Sequence, residues 1–180
     1  MMMTPIPVLG FCAFSGVGKT TLLIKIIANL TQKGVRIGVI KQSHHDFEID
    51  NPKKDSARLR QAGAQQLCIS SAYRDVFIRE HAKKRAPSLD SLIAGFQPED
   101  TDIIFVEGFK HACIAKIECY RPSLNHPLLA LKDEHVIAIA SDEIAKIRSD
   151  LPLLDINSGK QISEFILQEY LEKSMIAANK

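Results

Sequence analysis

Little separates the two signs of charge in this sequence: 23 Lys and Arg stand against 21 Asp and Glu, for a formal net charge of +2. Nucleic-acid and membrane surfaces are bound by concentrated basic faces, so neither partner is expected. No window approaches the roughly 18 unbroken apolar residues of a membrane span. Met1 to Pro7 lacks the basic and apolar regions of a signal peptide, so the expected location is the cytoplasm. Cysteine is scarce, and Cys113 and Cys119 lie too far apart for a Cys-x-x-Cys pair. A zinc knuckle or redox motif is thereby disfavoured, and small buried, reduced thiols are expected, with Cys12 and Cys68 inside apolar strand-like runs.

What remains is a soluble, globular composition, 46% hydrophobic and 24% charged over 180 residues. That length fits one domain able to bury roughly 70% of its unfolded surface. Val8 to Phe14 is an apolar run, followed by Ser15-Gly16-Val17-Gly18; Leu22, Leu23, Ile26, Ile27 and Leu30 then recur at helical spacing. Gly34 stops that helix, and Val35 to Ile40 forms the next strand. Strand, glycine loop, helix and strand within about thirty residues make a βαβ unit, and runs apolar on both faces suit a covered parallel sheet. Asp55 is the expected cap of a short helix ending near Gly63, and Ser88 caps another bearing Leu89, Leu92, Ile93 and Phe96. Further strands are expected at Leu67–Ser71, Val76–Ile78, Asp102–Gly108, His135–Ala140 and Leu153–Leu154. Ile114–Tyr120, carrying Lys116 and Glu118, is expected as an exposed or edge strand. Ser158 to Gln161 has capping-box spacing before a helix through Tyr170. The expected fold is α/β and P-loop NTPase-like, a mostly parallel sheet with helices on both faces. Residues 1–173 form one domain, and 174–180 a frayed tail.

Ala13 to Thr20 fits the Walker A pattern except that Ala13 replaces its first glycine. Consecutive backbone N–H groups in a tight loop converge on a β-phosphate. Gly16 and Gly18 permit the dihedrals and leave no Cβ in the way. Lys19 reaches the β and γ oxygens, Thr20 offers its hydroxyl to Mg²⁺, and the helix dipole faces the anion. The nucleotide-binding set is therefore Ser15, Gly16, Val17, Gly18, Lys19, Thr20 and Thr21. For the metal, Asp102 and Glu107 flank one strand about 16 Å apart. Ligands lie beyond the carboxyl ends of parallel strands, so Glu107 is the second metal group, acting through a metal-bound water, and Asp102 is a solvated strand start.

These residues resemble the molybdopterin-guanine dinucleotide biosynthesis adaptor family, MobB. The resemblance spans nearly the whole chain. It rests on Phe14 to Leu22, on Ile40-Lys41-Gln42-Ser43-His44-His45-Asp46, on Lys54-Asp55-Ser56 and Arg60 to Ala64, and on Val106-Glu107-Gly108-Phe109-Lys110. Ile114 to Ile117, Ile137 to Asp142 and Leu153 to Asn157 complete it. The His-His-Asp and Val-Glu-Gly-Phe-Lys blocks are its specific part, and Ala13 is similar to what the family carries. The resemblance implies GTP binding, weak GTPase activity and homodimers built through added β-strands. It also implies assistance to the guanylyltransferase that joins GMP to molybdopterin. Exposed edges invite pairing, which places the dimer contact at Val76–Ile78 and Ile114–Tyr120.

GTP over ATP follows from the family, since the Asn-Lys-x-Asp guanine signature is missing. Asp142 either accepts guanine N1–H and N2–H₂ or caps the following turn, and Asp155 or Asn157 are alternatives. Asp46 is a candidate for orienting metal-bound water. His44 and His45 are either γ-phosphate contacts or part of a polar loop, and no third ligand completes a metal site around them. With Lys19 as the catalytic cation and no water-positioning Gln or arginine finger evident, a turnover of roughly 10⁻⁴ to 10⁻² per second is expected. Rival classes are a P-loop small-molecule kinase and a metallochaperone-type GTPase.

Overall fold

Six strands hydrogen-bond in the order β2-β5-β1-β6-β7-β8, and every neighbouring pair is parallel. They are β1 (Val8–Cys12), β2 (Ile37–Lys41), β5 (Ile103–Glu107), β6 (Lys116–Tyr120), β7 (Val136–Ser141) and β8 (Leu153–Asp155). The structure is a computed structural model, described over residues 6–43, 46–172 and 174. Apart from residue 174, the expected frayed tail lies outside the described residues. Two compact units divide the chain, 1–42 with 88–180, and 43–87. The sheet belongs to the first.

Period-two alternation sorts the strand side chains onto two covered faces. Leu9, Phe11, Ile103, Phe105, Ile117 and Cys119 point to one face, where Leu22, Leu23, Ile26 and Leu30 of α1 (Lys19–Gln32) meet Ile162 of α4 (Gly159–Phe165). Phe11 and Phe105 sit edge to face, 5.3 Å between centroids. Val8, Ile104 and Val106 point to the opposite face and are covered by Ile93 of α3 (Leu89–Ile93) with Leu89 and Phe96. The expected parallel α/β architecture with helices on both faces is what forms. Caps match their chemistry: Ser88 Oγ accepts the Ser91 N–H at 3.3 Å and Ser158 Oγ the Gln161 N–H at 3.2 Å. Past α4 the helix widens into a π turn, Ile166–Leu171. Among the described residues no helix is long and apolar enough to cross a membrane.

One expectation is overturned. β6 is no edge strand; it lies between β1 and β7, with Lys116 and Glu118 each only 1% exposed. Both its edges are paired within the sheet, so it offers none to a second chain. The misleading signal is the charge of Lys116 and Glu118, which partners in the flanking connections satisfy. Lys116 Nζ contacts Asp133 at 2.7 Å and donates to the carbonyls of Ala112 at 2.6 Å and Lys110 at 3.3 Å. Glu118 accepts the N–H groups of Leu129 and Ala130, each at 2.8 Å, yet burial still raises its pKa. The edges of this sheet are β2 and β8.

The 43–87 unit holds α2 (Asp55–Gln61) and an antiparallel hairpin, β3 (Gln66–Ser70) with β4 (Asp75–Arg79). Lys54, not Asp55, is the N-cap of α2; Asp55 sits one residue further in, where its charge suits the helix dipole. Arg60 joins Glu48 at 2.8 Å and Glu80 at 2.7 Å. All four cysteines are free, but only Cys12 and Cys119 are buried, and burial pushes both thiols up to about 12. Cys68 and Cys113 are exposed, against expectation. Cys68 pairs with Phe77 on the hairpin's outward face, and Phe77 is itself 75% exposed.

Burial pushes the Asp133 carboxyl up, but the hydrogen bond from Lys116 and the His135 N–H outweigh it and hold its pKa below the ordinary carboxylate value of 3.8. A depressed carboxylate stabilises the fold above its unfolded pKa and loses that contribution as pH falls through the folded one. Asp133→Asn should therefore cost about 3 kcal/mol at pH 7 in urea unfolding. The gap to the parent protein should close as pH falls from 3.8 through the lower folded value.

Candidate nucleotide-binding site

β1 ends at Cys12 and α1 begins at Lys19, leaving Ala13 to Gly18 as the connecting loop. Gly16 and Gly18 have φ of 81° and 98°, left-handed values that strain any side-chain-bearing residue. A Cβ at either position would meet no atom within 4 Å, so the space beside the loop backbone is open. Gly18 is the N-cap of α1, no side chain caps that end, and its first turn carries no acidic residue. The first N–H groups of the helix, including those of Lys19, Thr20 and Thr21, thus have no intrahelical acceptor. Ser15, Thr20 and Thr21 are exposed, whereas Val17 turns inward and is 3% exposed. The loop is plugged into the core by Val17, half-buried at Ala13 and Phe14, and open at Ser15, Gly16 and Gly18. Lys19 Nζ lies 3.4 Å from the carbonyl oxygens of both Ala13 and Phe14, long contacts for an ammonium group.

Parallel pairing brings the two predicted metal residues together. Glu107 ends β5 and lies opposite Phe11 of β1. Its Oε1 accepts the Thr20 hydroxyl at 3.1 Å, and its Oε2 contacts Lys41 Nζ at 2.9 Å. Lys41 is its register partner on β2. A hydroxyl and a nearly buried carboxylate, all oxygen donors, fit a hard divalent cation that retains waters. Among the described residues no group of three or more His, Cys, Asp or Glu could itself enclose a metal. Asp102 lies at the other end of β5, paired with Arg36 Nη2 at 2.5 Å. The hydrogen bond from Arg36 holds its carboxyl below the usual range, and it is a strand-start residue as expected.

The other candidates have partners of their own. Asp142 comes directly after β7 and is ion-paired with Arg121 Nη1. Asp46 belongs to the 43–87 unit, where its Oδ1 accepts the Phe47 N–H at 3.0 Å. His44 and His45 lie outside the described residues. Two neighbours of the loop were missed in the sequence. Arg121 Nε donates to the Val17 carbonyl at 2.9 Å, and His126 stacks on Phe14, 4.3 Å between ring centroids. Both come after β6 in the chain, and treating β6 as an edge removed them from the loop's surroundings. Placing β6 beside β1 would have exposed the signal.

A parallel sheet with a glycine loop between its first strand and first helix, and an acidic residue ending a neighbouring strand, defines a P-loop NTPase-like protein. Comparison with known proteins narrows this. Residues 8–142 match the family described as "Molybdopterin guanine dinucleotide synthesis protein B". The chain is 43% identical over 171 residues to the molybdopterin-guanine dinucleotide biosynthesis adapter protein of Escherichia coli, covering 94% of this chain and 96% of that protein. The protein of that name from Haemophilus influenzae is 41% identical over 165 residues, covering 92% and 90%. In fold, the crystal structure of Bacillus subtilis MobB superposes with a TM-score of 0.70 at 24% identity, over 91% of this chain and 98% of that one. The chain belongs to the MobB family.

Gly108, just after Glu107, has φ 116°, and a Cβ there would lie 2.6 Å from Gln42 Cβ. Strain and overlap act together at this position, so Gly108→Ala should lower stability by about 2 kcal/mol or more in urea unfolding.

Proposed function

We propose that this protein binds GTP with Mg²⁺ in the Ala13–Thr20 loop, hydrolyses it slowly, and acts as an adapter in the biosynthesis of molybdopterin guanine dinucleotide. Its partner on this reading is the guanylyltransferase that joins GMP to molybdopterin, and molybdopterin itself is a further candidate ligand. The carrying observation is the contact between the Thr20 hydroxyl and Glu107 beside an uncapped loop with open space at its two glycines, Gly16 and Gly18. Membership of the family supports the adapter role and the choice of guanine.

On this reading the main-chain N–H groups from Gly16 to Thr21 donate to phosphate oxygens. Lys19 exchanges its long carbonyl contacts for the β and γ oxygens. Thr20 gives its hydroxyl oxygen, and Glu107 its carboxylate through water, to the metal. Bound Mg²⁺ supplies neutralisation of charge on the β and γ oxygens. Asp46 is the proposed group for orienting water. The proposed homodimer pairs through β3 and β4, whose hairpin leaves Ile69, Tyr73 and Phe77 exposed.

Calorimetry with GTP, GDP and ATP, each with and without Mg²⁺, tests the reading. GTP should bind most tightly, Lys19→Ala should weaken binding at least about 100-fold, and Glu107→Gln should reduce the dependence on Mg²⁺. Labelled γ-phosphate should appear only as free phosphate, at roughly 10⁻⁴ to 10⁻² per second; label in an acceptor would establish a kinase instead. Sedimentation at micromolar concentration should give the dimer mass.

A further inference from the structure

The parallel register that joins β6 to β7 also joins the residues just beyond them. Tyr120 is opposite Ser141, so Arg121 and Asp142 leave the sheet side by side. Their side chains, 30% and 23% exposed, form an ion pair through Nη1 and Oδ2. The same guanidinium donates from Nε to the Val17 carbonyl at 2.9 Å. β6 lies next to β1, which is why this short bridge reaches the loop that β1 leads into. From the same connection, His126 stacks on Phe14. The segment after β6 therefore touches the loop at two of its residues.

We propose that Arg121 is a positioning residue for the phosphate loop, and that Asp142 acts through Arg121 rather than on the base. This rests on the nucleotide-binding reading above. In a trans peptide the C=O and the following N–H point in opposite directions, and no cis peptide bond occurs among the described residues. Holding the Val17 oxygen toward Arg121 therefore aims the Gly18 N–H away from it. Gly18 adopts a left-handed φ of 98°, a conformation glycine leaves readily. An external hydrogen bond is what holds that peptide plane in one orientation. Because the donor is charged, the bond also polarises the peptide and makes the Gly18 N–H a stronger donor. Asp142 fixes the guanidinium in the plane that this requires. The planar fork matters here: a lysine keeps the charge but cannot hold both partners in a fixed geometry.

Calorimetry with GTP and with inorganic tripolyphosphate, which has no base, separates the roles. Arg121→Lys should weaken both ligands about tenfold, and Asp142→Ala should weaken both by a common factor of at least about three. Unchanged affinities in Arg121→Lys would leave only the charge and overturn the proposal. So would an Asp142→Ala loss confined to GTP, which would make that carboxylate a reader of the base. In the unliganded protein, the Gly18 amide proton should move upfield in Arg121→Lys, as a weaker donor would; an unmoved resonance counts against the bridge. That spectrum needs no nucleotide. A parent protein binding neither ligand therefore sinks the functional reading alone, while the Gly18 signal still decides on the bridge.

Discussion

Uniform strand direction is the constraint on which the remaining structure depends. With all six strands parallel, their carboxyl ends share one rim, and each strand carries its last residue and the connection beyond it to that rim. β1 delivers the glycine loop, β5 delivers Glu107, β2 delivers Lys41, and β6 and β7 deliver Arg121 and Asp142. These residues are scattered from position 13 to position 142, yet register brings Thr20, Glu107 and Lys41 into one set of contacts and Val17, Arg121 and Asp142 into another. Reversing a single central strand would move its polar terminus to the opposite rim, where Asp102 and Arg36 pair.

Buried charge in the middle of this sheet serves the same geometry. Lys116 and Glu118 share a face of β6, and isolated charges there would cost far more than any packing returns. Instead each ties a flanking connection to the strand. Lys116 holds the carbonyls at 110 and 112, in the connection that starts beyond Glu107, together with Asp133. Glu118 holds the amides at 129 and 130, in the connection that starts at Arg121. The two connections bordering the candidate site are thus fixed to one central strand. A wholly apolar β6 would be better solvated by the core but would leave those backbone groups without partners.

Local chemistry made much of this legible in the sequence, and long-range pairing explains what was not. The Walker A residues, the Ser88 and Ser158 caps and the helix of Leu22 to Leu30 come from spacing and residue type within a few positions. Glu107 was separable from Asp102 because strand length and direction suffice to assign the two rims. The place of β6 is not legible because alternation records which residues are polar, not whether partners await them in distant connections; Asp133 lies 17 positions after Lys116. Arg121 and His126 inherited that error, since their relevance depends entirely on which strand lies beside β1. Cys68 erred in the opposite direction: a strand-like apolar run predicts a sheet, but a two-stranded hairpin leaves its outward face without a second layer.

The near neutrality of the chain bears on how such a site would hold a triphosphate. A net charge of +2 supplies little long-range attraction, and the cations at the rim are largely matched: Lys41 by Glu107 and Arg121 by Asp142. Lys19 is different, contacting only carbonyl oxygens among its described partners. At the loop itself, attraction for an anion then comes from that ammonium group and from oriented peptide dipoles, whose effect is short-ranged and depends on where each N–H points. Orientation of the loop, more than the number of positive charges near it, becomes the quantity on which binding depends. A guanidinium neutralised by its own carboxylate, yet bonded to the loop's outward carbonyl, suits that need: it sets direction without adding net charge.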